Sequence, residues 1–196
     1  MPDLGLSNFD IAASVALGIG LAAATGLRLF LPMLVVSAAA YAGYLPLSDN
    51  FAWLATPAAL ILLGVAAIAE ILAYYIPGLD NLLDTLATPA AFVAGTIISA
   101  AVFTDLSPMV KWAAAIIAGG GIAGLTQTTT AVLRAKSTVL TGTLGNPVIA
   151  TAEAGGSLLV SLLALVAPLL TLIVIVVLLW LGLRWFRQIT RRPRPS

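Results

Sequence analysis

Apolar residues in this chain come in long, nearly unbroken blocks, and polar residues are confined to short stretches between them. Residues 11–41, 53–76, 89–103 and 110–133 form four blocks, and 147–186 forms a fifth of about double length. A helix that crosses a bilayer needs roughly 20 consecutive apolar residues. The first four blocks therefore read as one span each, and the fifth as two, broken at Pro168. The expected fold is all-α: a single integral membrane domain over residues 1–196, with about six transmembrane spans, or five.

Two places disturb the pattern. The first block is long for one span, and Gly26, Arg28 and Pro32 interrupt it. It is either one tilted helix kinked near Pro32 or two half-helices that meet at Gly26, a broken or re-entrant arrangement. Residues 77–88 mix Leu79, Leu82, Leu83 and Leu86 with Asp80 and Asp84, the spacing of a short interfacial amphipathic helix. Pro89 then suits the first turn of the third span.

Composition agrees with the pattern. The chain is 61% hydrophobic and 9% charged, with a mean hydropathy of +1.09, against about 25% charged residues in soluble domains. Cys and His are both absent, which removes disulfides, thiolate catalysis, Cys/His metal sites and the Ser-His-Asp triad. No cofactor is expected. A net charge of +1 offers no basic field for nucleic acid. Membrane lipids are the expected partners, and Gly/Ala helix faces leave room for a homo-oligomer.

Arg184, Arg187, Arg191, Arg192 and Arg194 crowd the C-terminus, so residues 187–196 read as a basic cytoplasmic tail. Six spans would put the N-terminus on the same side. Arg134 and Lys136, two spans earlier, would lie there too, in a cytoplasmic loop. The first ten residues carry Asp3 and Asp10 and lack the basic start of a signal peptide, so no cleavable targeting segment is expected.

Candidate chemistry concentrates between Gly119 and Gly156. Gly119, Gly121 and Gly124 fit a dinucleotide-loop spacing, but no βαβ unit surrounds them and close helix packing explains them better. Glu153 lies about six residues inside the fifth block, where a carboxylate must be paired or wetted. Its candidate partners are Arg28, Arg134 and Lys136. Thr126, Thr128, Thr129 and Thr130 can bond to their own preceding turn or line a polar path. Asn146, before Pro147, can cap a helix N-terminus. The expected ion or solute path is Arg28, Glu153, Asn146, Thr129 and Gln127, with Glu70, Asp80, Asp84, Arg134 and Lys136 in a second rank. Each has a plainer account: Arg28 snorkelling to an interface, Asp80 and Asp84 on a solvated face, Glu153 in a packing ion pair.

The stretches TGLRLFLP (Thr25–Pro32), PGLDNLLD (Pro77–Asp84), Thr88-Pro89, and Asn146-Pro147 followed by Ala152-Glu153 resemble a bacterial membrane family called domain of unknown function 4126. The resemblance covers nearly the whole chain. It implies that Arg28, Asp80, Asp84 and Glu153 are recurring polar positions. Ala154 departs from the family, which often has a second acid there. The resemblance implies no activity. From the residues, the expected function is a small transporter or channel of the bacterial cytoplasmic membrane, with a polar cavity at Arg28 and Glu153. A structural or assembly protein is the alternative, followed by an intramembrane enzyme acting on lipid.

Overall fold

A computed structural model describes residues 8–76, 79–142 and 144–190, and among these every regular element is helical. The order is α1 (Asn8–Thr25), α2 (Phe30–Tyr41), a 3-10 segment (Asp49–Ala55), α3 (Pro57–Ala73), α4 (Leu79–Val102), α5 (Pro108–Ala114), α6 (Gly121–Thr141), α7 (Asn146–Val166) and α8 (Pro168–Thr190). A π-helical segment, Ala115–Gly120, joins α5 to α6 without a break. Proline sets several helix starts: Pro57, Pro108 and Pro147 all sit in a first turn, where their missing N–H costs nothing. Thr56 caps α3 by accepting from the Ala59 amide at 3.2 Å. Gly142, at φ +59°, closes α6 in the left-handed conformation that glycine adopts freely.

Among the described residues three helices are long and apolar enough to cross a membrane, or four if the 3-10 segment and α3, bent by 71°, count as one. The expected six spans are therefore not reached by the described residues. Two local differences account for much of this. The first apolar block is not a continuous helix, and of α8 only Pro168–Leu178 enters the comparison, because most side chains beyond it lie outside the described residues.

The first block folds as two half-helices separated by residues 26–29. Contacts show α1 running antiparallel to α7: Gly20 meets Ala164, Ser157 Oγ donates to the Ala24 carbonyl, and Arg28 reaches Ala150. α2 runs antiparallel to α3, with Phe30 beside Glu70 and Leu34 beside Gly64. Val36 of α2 and Leu21 of α1 join one apolar core with Phe51, Leu54 and Ala100–Phe103. α1 and α2 are thus the arms of a hairpin that open toward the C-terminal end of α4, with the tip at residues 26–29. Pro32 falls in the first turn of α2 and produces no kink.

α4 continues through Pro89 rather than starting there. Leu79–Thr88, expected as a separate interfacial helix, is its first part. Proline lacks the N–H that would bond to residue 85, yet the neighbouring turns still carry the helix through. Pro77 and Gly78 lie outside the described residues.

α4 and α6 cross with almost no space between backbones. A Cβ on Gly119 would lie 2.7 Å from the Gly95 carbonyl oxygen, and one on Gly95 would lie 2.8 Å from that of Gly119. Of the three glycines in the sequence pattern, Gly119 is such a packing residue, whereas Gly121 has nothing within 4 Å and Gly124 only ordinary contact with Phe92. Large hydrophobic side chains such as Ile61, Leu62, Val65 and Ile68 of α3 face outward. Buried positions instead include Thr25, Ser37, Ser99, Ser157, Ser161 and Thr171. An apolar exterior over a partly polar interior matches a lipid-solvated protein.

Candidate functional site

The inner face of α6 repeats at helical spacing: Ala123, Gln127, Thr130 and Arg134 are its buried residues. That of α7 is Asn146, Ala150, Glu153, Ser157, Ser161 and Ala164. α6 ends at Thr141 and α7 begins at Asn146. Arg134 and Glu153 therefore each lie seven residues from those facing helix ends, about 10 Å along their helices. α3 ends and α4 begins at the same end of the bundle, and they bring Glu70, Tyr74 and Asp84. The tip of the α1–α2 hairpin brings Arg28.

These groups meet. Arg134 Nη1 donates to Asp84 Oδ1 at 2.9 Å, and Arg134 Nη2 contacts Glu153 Oε2 directly. Arg28 Nη2 lies 3.3 Å from the same Glu153 oxygen and donates to the Ala150 carbonyl at 2.9 Å. The guanidinium carbons of Arg28 and Arg134 each sit 4.0 Å from the centre of the Tyr74 ring, well within cation–π range. Arg28 is 1% exposed and Arg134 2%. These are the two largest fully buried side chains among the described residues.

Not every buried donor is used. Arg28 Nε and Nη1 and Arg134 Nε have no acceptor among the described residues, and Glu153 Oε1 has no donor. Such groups carry a desolvation cost of roughly 1–3 kcal/mol each, more when charged. Glu70 holds the hairpin tip from α3: its Oε1 accepts from the Leu29 amide at 2.7 Å and its Oε2 from the Phe30 amide at 3.0 Å. It caps α2 from another helix, supplying the acceptors that the helix start lacks. Glu70, Asp84 and Glu153 do not converge as a metal-ligand set among the described residues.

A model of the family described as Domain of unknown function (DUF4126) matches residues 15–188. The chain belongs to that family. No curated protein and no solved structure matches it. In this DUF4126 chain the family motifs TGLRLFLP and DNLLD supply Arg28 and Asp84, on opposite sides of Arg134 and Glu153.

The expected residues divide. Arg28 and Glu153 face each other, joined by Asp84 and Arg134 from the second rank. Arg134 is a correction: it is not in a loop but buried inside α6, and Lys136, two residues on, is exposed on the same helix. Asn146 is the first residue of α7, not its cap, which is Gly145. Its Nδ2 donates to Thr138 Oγ1 at 3.0 Å. Gln127 is buried on the α6 inner face, where the hairpin-tip backbone at Gly26 passes too close to admit a Cβ. Thr129 faces outward and donates to the Leu125 carbonyl at 2.8 Å. The side chain of Asp80 lies outside the described residues, as do residues 191–196 of the basic tail.

Tyr74 is the residue that sequence reasoning missed. Beside Tyr75 and before Pro77 it looks like one of two interfacial tyrosines. Tyr75 is indeed exposed, with its Oη 2.7 Å from Thr151 Oγ1, whereas Tyr74 is 5% exposed and turned inward against both guanidiniums.

Proposed function

We propose that the chain is a small membrane carrier or channel for an ion or small solute, moved past Arg28 and Glu153 in a bacterial cytoplasmic membrane. The observation that supports this is the convergence of Arg28, Asp84, Arg134 and Glu153 in a buried cluster, with Glu70 beside it. The whole chain has only nine Lys/Arg and eight Asp/Glu. Ionisable residues at membrane depth are costly and mark pathways by default. The cluster also sits at a helix break, the arrangement by which carriers expose backbone groups to a solute at membrane depth.

In this reading α3, α4, α5–α6 and α7 cross the bilayer and the α1–α2 hairpin is re-entrant. α8 makes a fifth crossing that delivers the arginine-rich tail to the cytoplasm. The charged cluster then lies in the cytoplasmic half of the membrane. Glu153 carries the proton or cation, and Arg28 is its counter-charge. Purified protein in proteoliposomes, energised by a proton or sodium gradient, should pass current or solute that Glu153→Gln abolishes. Equal flux in the variant overturns the proposal.

A structural role is the second reading, favoured by the mutual pairing of Arg134 with Asp84 and Glu153. It expects Glu153→Gln to lower thermal stability in step with any loss of flux. The carrier reading expects flux to vanish in protein that remains folded.

A further inference from the structure

α3 and α4 leave a groove of about 470 Å³ beside the hairpin tip, within the ~300–1,000 Å³ of small-ligand sites. Of its lining side chains only Glu70 and Tyr74 are polar, and the others are Ala, Leu and Phe. Leu86 at its rim is 61% exposed, so the groove opens toward the outside of the bundle. Glu70, itself partly buried, therefore borders an apolar space that small apolar molecules can enter.

Three carboxylates and two guanidiniums gather at this end of the bundle: Glu70, Asp84 and Glu153 against Arg28 and Arg134. One negative charge is in excess, and in apolar surroundings a proton removes it most readily. The contacts decide which carboxylate takes that proton. Glu153 contacts both guanidiniums, and Asp84 bonds to Arg134 at 2.9 Å. A proton on either would break an ion pair. Glu70 makes no ion pair among the described residues. Its oxygens accept only from two uncharged donors, the Leu29 and Phe30 amides. The titratable and charged groups gathered around it are Arg28 from the tip, Tyr74 from its own helix, Asp84 from α4, Arg134 from α6 and Glu153 from α7. α2 brings none to this end, since its tyrosine is at the far terminus.

We infer that Glu70 is a proton-binding site, and that its proton unlatches the tip of the α1–α2 hairpin. The ionised carboxylate has an acceptor oxygen for each tip amide. The neutral acid turns one of those oxygens into an O–H donor. One amide then loses its partner, and the bond to the other loses its charge assistance. The tip also carries Arg28, which reaches from there to Glu153 and to the Ala150 carbonyl. A proton on Glu70 thus loosens the support of the arginine that faces Glu153. This goes beyond the carrier reading and stands without it. Within that reading, release of the tip is the step that frees Glu153 from Arg28 for its own cation.

The test is carbodiimide labelling and amide hydrogen exchange of the purified full chain in detergent, over a pH series. Dicyclohexylcarbodiimide is apolar and reacts with protonated carboxyl groups. The acid gives its proton to one carbodiimide nitrogen and its oxygen bonds to the central carbon. The acyl group then shifts to nitrogen, and the adduct retains the whole reagent. Peptide mass spectrometry should find it on Glu70, with Asp84 and Glu153 unlabelled. The rate should fall about tenfold per pH unit above the Glu70 midpoint. Protection of the Leu29 and Phe30 amides, taken relative to an unstructured peptide at the same pH, should be high above that midpoint. It should fall by about two- to tenfold as pH drops through it. Glu70→Gln should take no label there and hold the tip in its low-protection state at every pH. If that variant does not fold, labelling and exchange of the unaltered chain decide alone. An unlabelled Glu70, labelling of Asp84 or Glu153 in its place, labelling that ignores pH, or tip protection that does not follow the Glu70 midpoint overturns the inference.

Discussion

The two ends of the helix bundle are built from different materials. At the end where α4 finishes, Leu21, Val36, Ile98 and Phe103 form a fully buried apolar core. Gly18 there lies too close to the Phe103 ring to accept a Cβ. Buried hydroxyls there are satisfied across elements: Ser99 Oγ donates to the Gly18 carbonyl at 3.0 Å and Ser37 Oγ to the Leu54 carbonyl at 2.7 Å. At the end where α4 begins, Arg28, Arg134, Asp84 and Glu153 take the place of that core and leave several donors unmatched. Lipid gives helices no hydrophobic reason to associate, so close packing of small residues suffices to hold the first end. The second end holds together by charge, at a desolvation cost that packing would not incur. A fold that already has the cheaper device uses the costlier one where something else requires it.

The comparison can be broken in several ways. Glu153→Ala leaves Arg134 with Asp84 alone and takes from Arg28 its ion pair with Glu153. It should destabilise the protein by about 3–5 kcal/mol, read by thermal or denaturant unfolding in detergent. A loss below 1 kcal/mol would mean that water already reaches the cluster. Gly95→Ala tests the packed seam between the ends, where the new Cβ presses on the Gly119 carbonyl. Overpacking of this kind should lower stability by about 1–3 kcal/mol.

Glu70→Gln keeps an acceptor for only one of the two hairpin-tip amides, with a loss of about 0.5–2 kcal/mol. Protection of the Leu29 and Phe30 amides from hydrogen exchange should fall first. Thr129→Val should be nearly silent, within about 0.5 kcal/mol, and flux in proteoliposomes should not change. A large effect there would move the path to the outer face of α6.

The helical fold, with helices apolar enough to cross a membrane, was legible because block length and hydropathy report on helix length and burial. The facing of Arg28 and Glu153 was legible too, since an isolated charge inside an apolar block must find its opposite. Arg134 was not. Lys136 and four nearby threonines lower the local hydropathy, and the stretch looks like a loop. The signal that would have found it is the spacing of Ala123, Gln127, Thr130 and Arg134, which repeats one helical face without interruption. The hairpin was half legible: Gly26 allowed a break, but nothing local shows that Glu70, 41 residues away, supplies the acceptors that make it stable. Tyr74 had no signal at all, because its inward turn depends on two arginines that the sequence keeps 106 residues apart.

The π segment at Ala115–Gly120 sets a phase. Each residue of an α-helix turns the next by about 100°, and an i→i+5 turn shifts everything beyond it. Upstream, α5 is fixed by Lys111, whose Nζ donates to Ser48 Oγ at 2.8 Å. Downstream, Gly119 must face Gly95, and Arg134, fifteen residues further, must face Asp84. Deleting one residue between Ala115 and Ile117 would keep every helix and every charge. It would also rotate the seam and the cluster together by about 100° relative to α5. The angular register of a single turn thus decides whether the arginine looks into the protein or out at the lipid.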